Sequence, residues 1–138
     1  MQQMKVTTLE KVALLKDRQK EFNNLAEMIV TRAHETPEKI HVNYYDQNIT
    51  YRQMNERSNQ VAHYLRKQGV KKGDVVSFII LNSPEIYYSM FGIQKLGGIT
   101  GGINFMLKAQ EILHVLNDSK PKAVFVGSQY MAEFTLAY

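Results

Sequence analysis

The chain of 138 residues contains no cysteine and no tryptophan, and only three prolines. Without cysteine it can form neither a disulfide framework nor a thiolate zinc site. It also lacks any run of about 18 apolar residues, which a membrane-spanning helix would need. Charged residues recur from Lys5 onward and interrupt the apolar core that an export signal requires. These absences argue against a secreted, disulfide-rich or transmembrane protein, and they predict a cytoplasmic location.

A strong excess of one sign of charge is also absent. Seventeen basic residues stand against 13 acidic ones, and the net charge of +4 is spread along the chain. The one local cluster comprises Arg66, Lys67, Lys71 and Lys72, around a glycine at position 69 that is expected to end a helix. Cations complement the negative end of a helix dipole and meet water there. A nucleic-acid surface usually couples such a cluster to aromatics or a groove-reading element, so no nucleic-acid partner is expected.

Helical and strand patterns alternate along the chain. Residues 1–21 are predicted to be a leading segment, with a charged surface helix from Leu9 to Phe22. The remaining residues, 22–138, show the following elements: helices at Asn24–Glu35, Thr50–Gly69, from Ser83 to the glycines at 97 and 98, and at Lys108–Leu116, and strands at Ile40–Tyr45, Val75–Leu81 and Ala123–Val126. Nearly continuous apolar strands are typical of a parallel sheet buried on both faces. The pattern therefore predicts an α/β fold, a three-layer sheet with flanking helices.

Two helices carry the clearest local signals. Thr50 is predicted to cap the helix that follows it, because Gln53 can reach back to its amide, and Ile49 and Met54 have the spacing of a hydrophobic staple. Gly69 can adopt the left-handed conformation that ends this helix. The next helix opens with Ser83-Pro84. Its predicted buried face contains five apolar residues: Ile86, Tyr87, Met90, Phe91 and Ile93.

So few strands leave an open sheet edge and a half-covered face. We therefore interpret residues 22–138 as a partial subdomain, truncated from a larger domain. An unpaired edge is a site where chains associate, so self-association through that edge is expected.

No catalytic or metal site follows from the residues themselves. The glycine-rich segment Gly97–Gly102 lacks the Gly-Lys-Ser/Thr ending of a Walker loop and the spacing of the dinucleotide fingerprint. It is interpreted as a flexible segment that packs closely, with ligand binding at its last two glycines as the alternative. The histidines at 34, 41, 63 and 114 are isolated from one another. No serine lies in a nucleophile elbow, and no carboxylate pair has a histidine partner.

The order of short motifs nevertheless resembles the beginning of the adenylate-forming, or AMP-binding, enzymes. These include acyl-CoA synthetases, aryl-CoA ligases, luciferases and peptide-synthetase adenylation domains. The likeness covers residues 22 to 130, and its specificity lies in the order of the motifs: Thr36-Pro37-Glu38-Lys39, Ile49-Thr50-Tyr51-Arg52-Gln53-Met54, Gly69-Val70-Lys71-Lys72-Gly73-Asp74, Asn82-Ser83-Pro84-Glu85, Gln94-Lys95-Leu96-Gly97-Gly98 and Asp118-Ser119-Lys120-Pro121-Lys122.

Within this family the chain is most similar to the branch of long- and medium-chain fatty-acid–CoA ligases. Gly101-Gly102 stands where the family usually has valine-proline, and Asn104, Ala109 and Glu111 continue the pattern of that branch. In acetyl-CoA synthetase relatives the matching glycine pair forms a turn beside the nucleotide part of coenzyme A. The resemblance therefore implies that Thr100, Gly101 and Gly102 form a turn close to coenzyme A.

The resemblance implies a two-step reaction that uses ATP, Mg²⁺ and coenzyme A. A fatty acid or other carboxylate attacks the α-phosphorus of ATP, and the thiol of coenzyme A then displaces AMP from the acyl-adenylate. The family's phosphate loop ending in Pro-Lys-Gly, its adenine site and its catalytic lysine lie further along the chain than Tyr138. The resemblance thus makes this chain the first part of the large N-terminal domain, and residues 1–138 alone are expected to be inactive.

Two alternatives remain open at this point. The first keeps the fold and changes the acid: an aryl-CoA ligase, or an adenylation enzyme that loads a carrier protein. The second is a non-enzymatic, flavodoxin-like binding module.

Overall fold

The computed structural model describes residues 22–138. The predicted leading helix of segment 1–21 lies outside these residues. In chain order the elements are α1 (Leu25–Glu35), β1 (Ile40–Tyr44), β2 (Gln47–Thr50), α2 (Tyr51–Lys67), β3 (Val75–Ile79), α3 (Pro84–Lys95), β4 (Ile99–Gly102), α4 (Ala109–Ser119), β5 (Ala123–Val126), a 3₁₀ turn (Ser128–Tyr130) and α5 (Met131–Ala137). No helix in the described part combines the length and the apolar character needed to cross a bilayer.

The first two strands form an antiparallel hairpin with a tight turn. Gln47 and Asn48 pair with Tyr44 and Asn43. The Asn43 side chain donates to Asn48 Oδ1 over 2.6 Å, which extends the ladder by one more cross-strand contact. The chain therefore reverses at Tyr45, which takes a left-handed conformation with φ of 49°.

The predicted capping of α2 is confirmed. Gln53 donates its amide to Thr50 Oγ1 over 3.2 Å, and the Thr50 amide donates to Gln53 Oε1 over 3.0 Å. Ile49 and Met54 are buried in one cluster with Ile29 of α1. Two amides that would otherwise lack partners are thus satisfied, and the hairpin is held against the helix. Gly69 has φ of +81°, as expected for the residue that ends this helix.

Three parallel strands form the central sheet in the order β4-β3-β5. The sequence did not predict β4, because glycine has a low intrinsic preference for strands. In the structure Ile99 to Gly102 pair with Val75 to Phe78. The interpretation of Thr100, Gly101 and Gly102 as a turn is therefore wrong, since these residues lie in an edge strand. A Cβ on Gly101 would lie 2.7 Å from Ser77 Oγ, so the absence of a side chain permits this pairing.

Helices cover both faces of the sheet, which confirms the predicted three-layer α/β fold. On one face Val76 and Ala123 pack with Leu65 of α2 and Ile93 of α3. On the other face Ile79 packs with side chains of α4 and α5: Ile112, Leu116 and Ala137. Side chains of a strand alternate between its two faces, so neighbouring residues of the same strand contribute to different helical layers.

Helices α2 and α3 approach closely at a glycine. A Cβ on Gly92 would lie 2.6 Å from Val61 Cγ1 and 2.9 Å from the Ser58 carbonyl oxygen. The predicted buried face of α3 is correct at Phe91 and Ile93 and wrong at Tyr87, which is 41% exposed. The contact with α2 runs through small residues. Tyr87 lies beside the hairpin instead, with its ring centroid 6.3 Å from that of His41.

Helix α4 is longer than its sequence pattern predicts. It continues to Ser119 and ends where Lys120 adopts a left-handed conformation with φ of 46°. The Ser119 hydroxyl donates to the Val115 carbonyl over 2.7 Å, so polar side chains in the last turn are accommodated within the helix.

Replacing Gly92 with alanine should destabilise the protein, because the new methyl group would collide with a side chain and with backbone. Overpacking of this kind costs about 1–3 kcal/mol. Gly102→Ala is the matched control, since its Cβ would lie 3.5 Å from the nearest atom, in ordinary contact. We expect urea denaturation to show a lower midpoint for Gly92→Ala only. Equal midpoints for the two variants would contradict the close contact.

Candidate functional site

The carboxyl ends of the three parallel strands meet at one end of the sheet. Strands β3, β4 and β5 end there at Ile79, Gly102 and Val126. Their order places β3 in the centre, with its two neighbours reached by connections through α3 and α4 on opposite faces. In open α/β sheets ligands bind outside the carboxyl ends, at the point where such connections diverge. This end is therefore the candidate functional site.

An apolar cleft of about 350 Å³ lies between the ends of β3 and β5. It is lined by residues of these strands and of α2 and α3: Val61, Ile80, Glu85, Tyr88, Ser89, Phe125, Val126 and Gly127. Burial and then the nearby charge of Glu85 raise the pKa of the Tyr88 phenol. Tyr88 therefore remains protonated at neutral pH and can donate a hydrogen bond. An apolar group that carries a hydrogen-bond acceptor fits this chemistry.

On the other side of β3, the predicted ligand-proximal residues form the outer edge of the sheet. Ile99 and Ile103 donate their amides to Asp74 and Phe78 carbonyls, both over 2.9 Å. Amides alternate in direction along a strand, so those of Thr100 and Gly102 point away from β3. Gly102 is exposed and has no side chain to cover this edge. The edge can therefore donate two hydrogen bonds to an extended ligand or to another strand.

Ser77 of the neighbouring strand β3 adds a hydroxyl group beside Gly101. Its side chain is 1% exposed, and Ser77 Oγ has no hydrogen-bond partner among the described residues. It lies under Gly101, where a methyl group would approach it to 2.7 Å. The structure thus brings Gly101 together with a polar group that the sequence did not single out.

Lys95 is the second polar residue that sequence reasoning missed. Its ammonium group donates to Asn55 Oδ1 over 2.6 Å, to Asn59 Oδ1 over 2.7 Å, to Ser58 Oγ over 2.8 Å and to the Asn55 carbonyl over 3.1 Å. All four acceptors are uncharged oxygens of α2. Burial lowers the pKa of Lys95 to about 8. Lys95 therefore joins α3 to α2. In the sequence, the one feature that could have indicated this contact was a lysine on a helix with a largely apolar face.

Residues 22–138 contain no group of three or more histidine, cysteine or carboxylate side chains that could hold a metal ion. His41 packs against the Tyr51 ring, with centroids 4.6 Å apart, and burial lowers its pKa. The described part offers an open strand edge and an apolar cleft, and it brings no nucleophile and base together.

Comparison with known proteins shows which class has this arrangement. Residues 29–137 match the sequence model of the family described as "AMP-binding enzyme". Tyrocidine synthase 2 of Brevibacillus parabrevis is 33% identical over 109 residues, which are 79% of this chain and 3% of that protein.

Two solved structures are similar over most of the chain. An anthranilate CoA ligase in complex with anthranoyl-AMP has a TM-score of 0.78 and 28% identity, over 86% of this chain and 23% of that one. A Mycobacterium tuberculosis fatty acyl CoA synthetase has a TM-score of 0.76 and 32% identity, over 81% of this chain and 23% of that one.

The chain thus has the fold of the N-terminal domain of adenylate-forming ligases. It belongs to the AMP-binding enzyme family, whose relatives include acyl-CoA and aryl-CoA ligases and adenylating peptide synthetases. It spans less than a quarter of the length of each of the three relatives described.

The Lys95 contact predicts a pH dependence with a definite sign. The pKa is about 8 in the folded protein against an ordinary value of 10.5. Between these values the unfolded chain binds more protons at this position than the folded chain does, so the stability contributed by Lys95 rises with pH. We expect the difference in free energy of unfolding between wild type and Lys95→Met to increase across this window.

The exposed-lysine control is Lys39→Met, measured by urea denaturation at the same pH values. The lowered pKa would be contradicted if the difference in free energy of unfolding between wild type and Lys95→Met decreased as the pH rose from 8 to 10.5.

Proposed function

We propose that this chain forms the opening part of the large N-terminal domain of an ATP-dependent fatty acyl-CoA synthetase. The carboxylate of a fatty acid attacks the α-phosphorus of ATP and releases pyrophosphate, and the thiol of coenzyme A then displaces AMP to form the thioester. The family match over residues 29–137 is the observation that carries this proposal.

The fatty-acid assignment is supported by the glycine pair at 101 and 102 and by the similarity to the mycobacterial fatty acyl CoA synthetase, at 32% identity. The second candidate is an aryl-CoA ligase, which the similarity to the anthranilate CoA ligase favours. A carrier-loading adenylation enzyme is the third, because of the likeness to tyrocidine synthase 2. The family match favours all three over a non-enzymatic binding module.

Within this reaction we assign the edge strand to coenzyme A. The outward amides of Thr100 and Gly102 are donors that an extended ligand with carbonyl or phosphate oxygens can use. Gly101 lets the strand lie close to Ser77, and Gly102 leaves the edge open. Thr100 and Gly102 thus bind and orient the ligand, Gly101 permits the strand pairing, and none of the three takes part in bond making.

We further propose that the remaining parts of the reaction come from residues outside 22–138. The sequence has no loop ending in Pro-Lys-Gly. When bound, Mg²⁺ offsets the negative charge that builds up on the phosphates of ATP. We expect residues 1–138 alone to be inactive, and we place the enzyme in the cytoplasm.

A chimera tests both the family role and the coenzyme A edge. Residues 22–138 replace the corresponding segment of the mycobacterial fatty acyl CoA synthetase, and pyrophosphate exchange and acyl-CoA formation are measured separately. We expect Gly102→Val to raise the KM for coenzyme A roughly tenfold, the effect of losing about 1.4 kcal/mol of binding. Pyrophosphate exchange should not change, because adenylate formation precedes coenzyme A binding.

The control is Ile99→Phe, which adds bulk to an exposed residue at the other end of the same strand. A folded chimera without either activity would overturn the ligase assignment. Equal losses in both half-reactions would overturn only the role of Gly102. The same graft in the anthranilate CoA ligase tests the aryl alternative, which gains support if activity survives better in that host.

A further inference from the structure

The amino end of the sheet carries a basic surface that only the fold assembles. The cluster around Gly69 leads into β3, and the loop before β5 joins it there, because the Lys122 amide donates to the Val75 carbonyl over 2.7 Å. We define the amino-end face by its six cations: Arg66, Lys67, Lys71, Lys72, Lys120 and Lys122. All six residues are exposed.

Charge is divided unevenly between this face and the rest of the described part. The face holds six of the twelve basic residues in 22–138 but only two of the ten acidic ones, Asp74 and Asp118. Its net charge is therefore +4, whereas the other described residues sum to −2. Asp74 is already engaged, since its carboxylate accepts the Lys71 amide over 2.8 Å. A positive field accordingly extends from one end of the molecule.

These cations have no acidic partners within residues 22–138. The ion pairs there involve Arg32, Arg52 and Lys108, none of which belongs to the face. Arg66 and Lys67 complement the dipole at the end of α2. Lys71, Lys72 and Lys122 lie in loops beyond the helices, so dipole compensation does not account for them.

Composition indicates the kind of partner. Five of the six cations are lysines, which act as hydrated point charges and lack the bidentate geometry with which arginine reads individual phosphates or bases. Two exposed amphipathic or apolar residues border the face: Tyr64 in the last turns of α2, 56% exposed, and Ile99 at the start of β4, 55% exposed. Lysines with a few such residues suit a membrane interface, where charge attracts and apolar groups insert.

We propose that the amino-end face docks the protein on an anionic phospholipid bilayer. The cations are attracted to the negative headgroups, and Ile99 and Tyr64 reach the interfacial region. Gly102 and the apolar cleft lie toward the opposite, carboxyl end of the sheet, so docking leaves them accessible. This inference depends on the distribution of charge and is independent of which acid the enzyme activates.

Vesicle flotation of the 138-residue chain tests the proposal. Phosphatidylcholine vesicles are compared with vesicles that also contain phosphatidylserine, at low and high salt. We expect binding only with phosphatidylserine, and its loss at high salt. Each lysine near an anionic surface strengthens binding about fivefold, so Lys67→Gln/Lys71→Gln/Lys122→Gln should weaken binding roughly a hundredfold. Circular dichroism verifies that the variant is folded.

The matched control, Lys39→Gln/Arg57→Gln/Lys108→Gln, removes the same charge from outside the face and should bind within a few-fold of wild type. Both triple variants keep the five basic residues before position 22, so a difference in binding between the variants reports on the face alone. Equal weakening of the two triple variants would overturn the proposal, as would the absence of binding to phosphatidylserine vesicles. Tighter binding to a single-stranded oligonucleotide than to vesicles, with the same loss in the face variant, would assign the face to nucleic acid instead.

Discussion

The contact between α2 and α3 at Gly92 determines where the central sheet lies. No Cβ fits between this residue and Val61 or the Ser58 carbonyl, and the Lys95 ammonium joins the two helices through four oxygens. The end of α3 then brings Gly98 against the Asp74 carbonyl, where a methyl group would lie 3.3 Å away. Because β4 begins at that point, the helix contact places the edge strand beside β3 and exposes its outer amides.

Local signals predicted most of the fold. Thr50 and Gln53 cap α2 as expected, and Gly69 ends it, because these contacts lie within a few residues of one another. Strand β4 was missed because Gly101 has no intrinsic strand preference and is held by pairing with a strand more than twenty residues earlier. Lys95 was missed for the same reason, since its partners on α2 are 36 to 40 residues away. Long-range packing decides such positions, and no short sequence window contains it.

The two ends of the sheet differ in chemistry. Toward the carboxyl end, β4 has outward-facing amides at the sheet edge, and Tyr88 can donate a hydrogen bond in the apolar cleft. This chemistry suits ligand binding. At the amino end, lysines gather without acidic partners in the described part, which suits an anionic surface. The sequence resemblance implied a turn at Thr100, Gly101 and Gly102, whereas the structure places these residues in an edge strand. The basic face at the amino end could not be predicted from the sequence, because it depends on the parallel pairing of β3 and β5. That pairing brings Lys122 next to Val75 and the loop that precedes it.

Our central claim is that the edge strand β4 presents its outward amides to coenzyme A. Hydrogen–deuterium exchange of the chimera with the mycobacterial synthetase, with and without coenzyme A, tests it most directly. We predict fast exchange at Thr100 and Gly102 in the absence of coenzyme A and clear slowing when it binds, with no change at Lys71 and Lys72. Slowing elsewhere with unchanged exchange at Thr100 and Gly102 would contradict the claim.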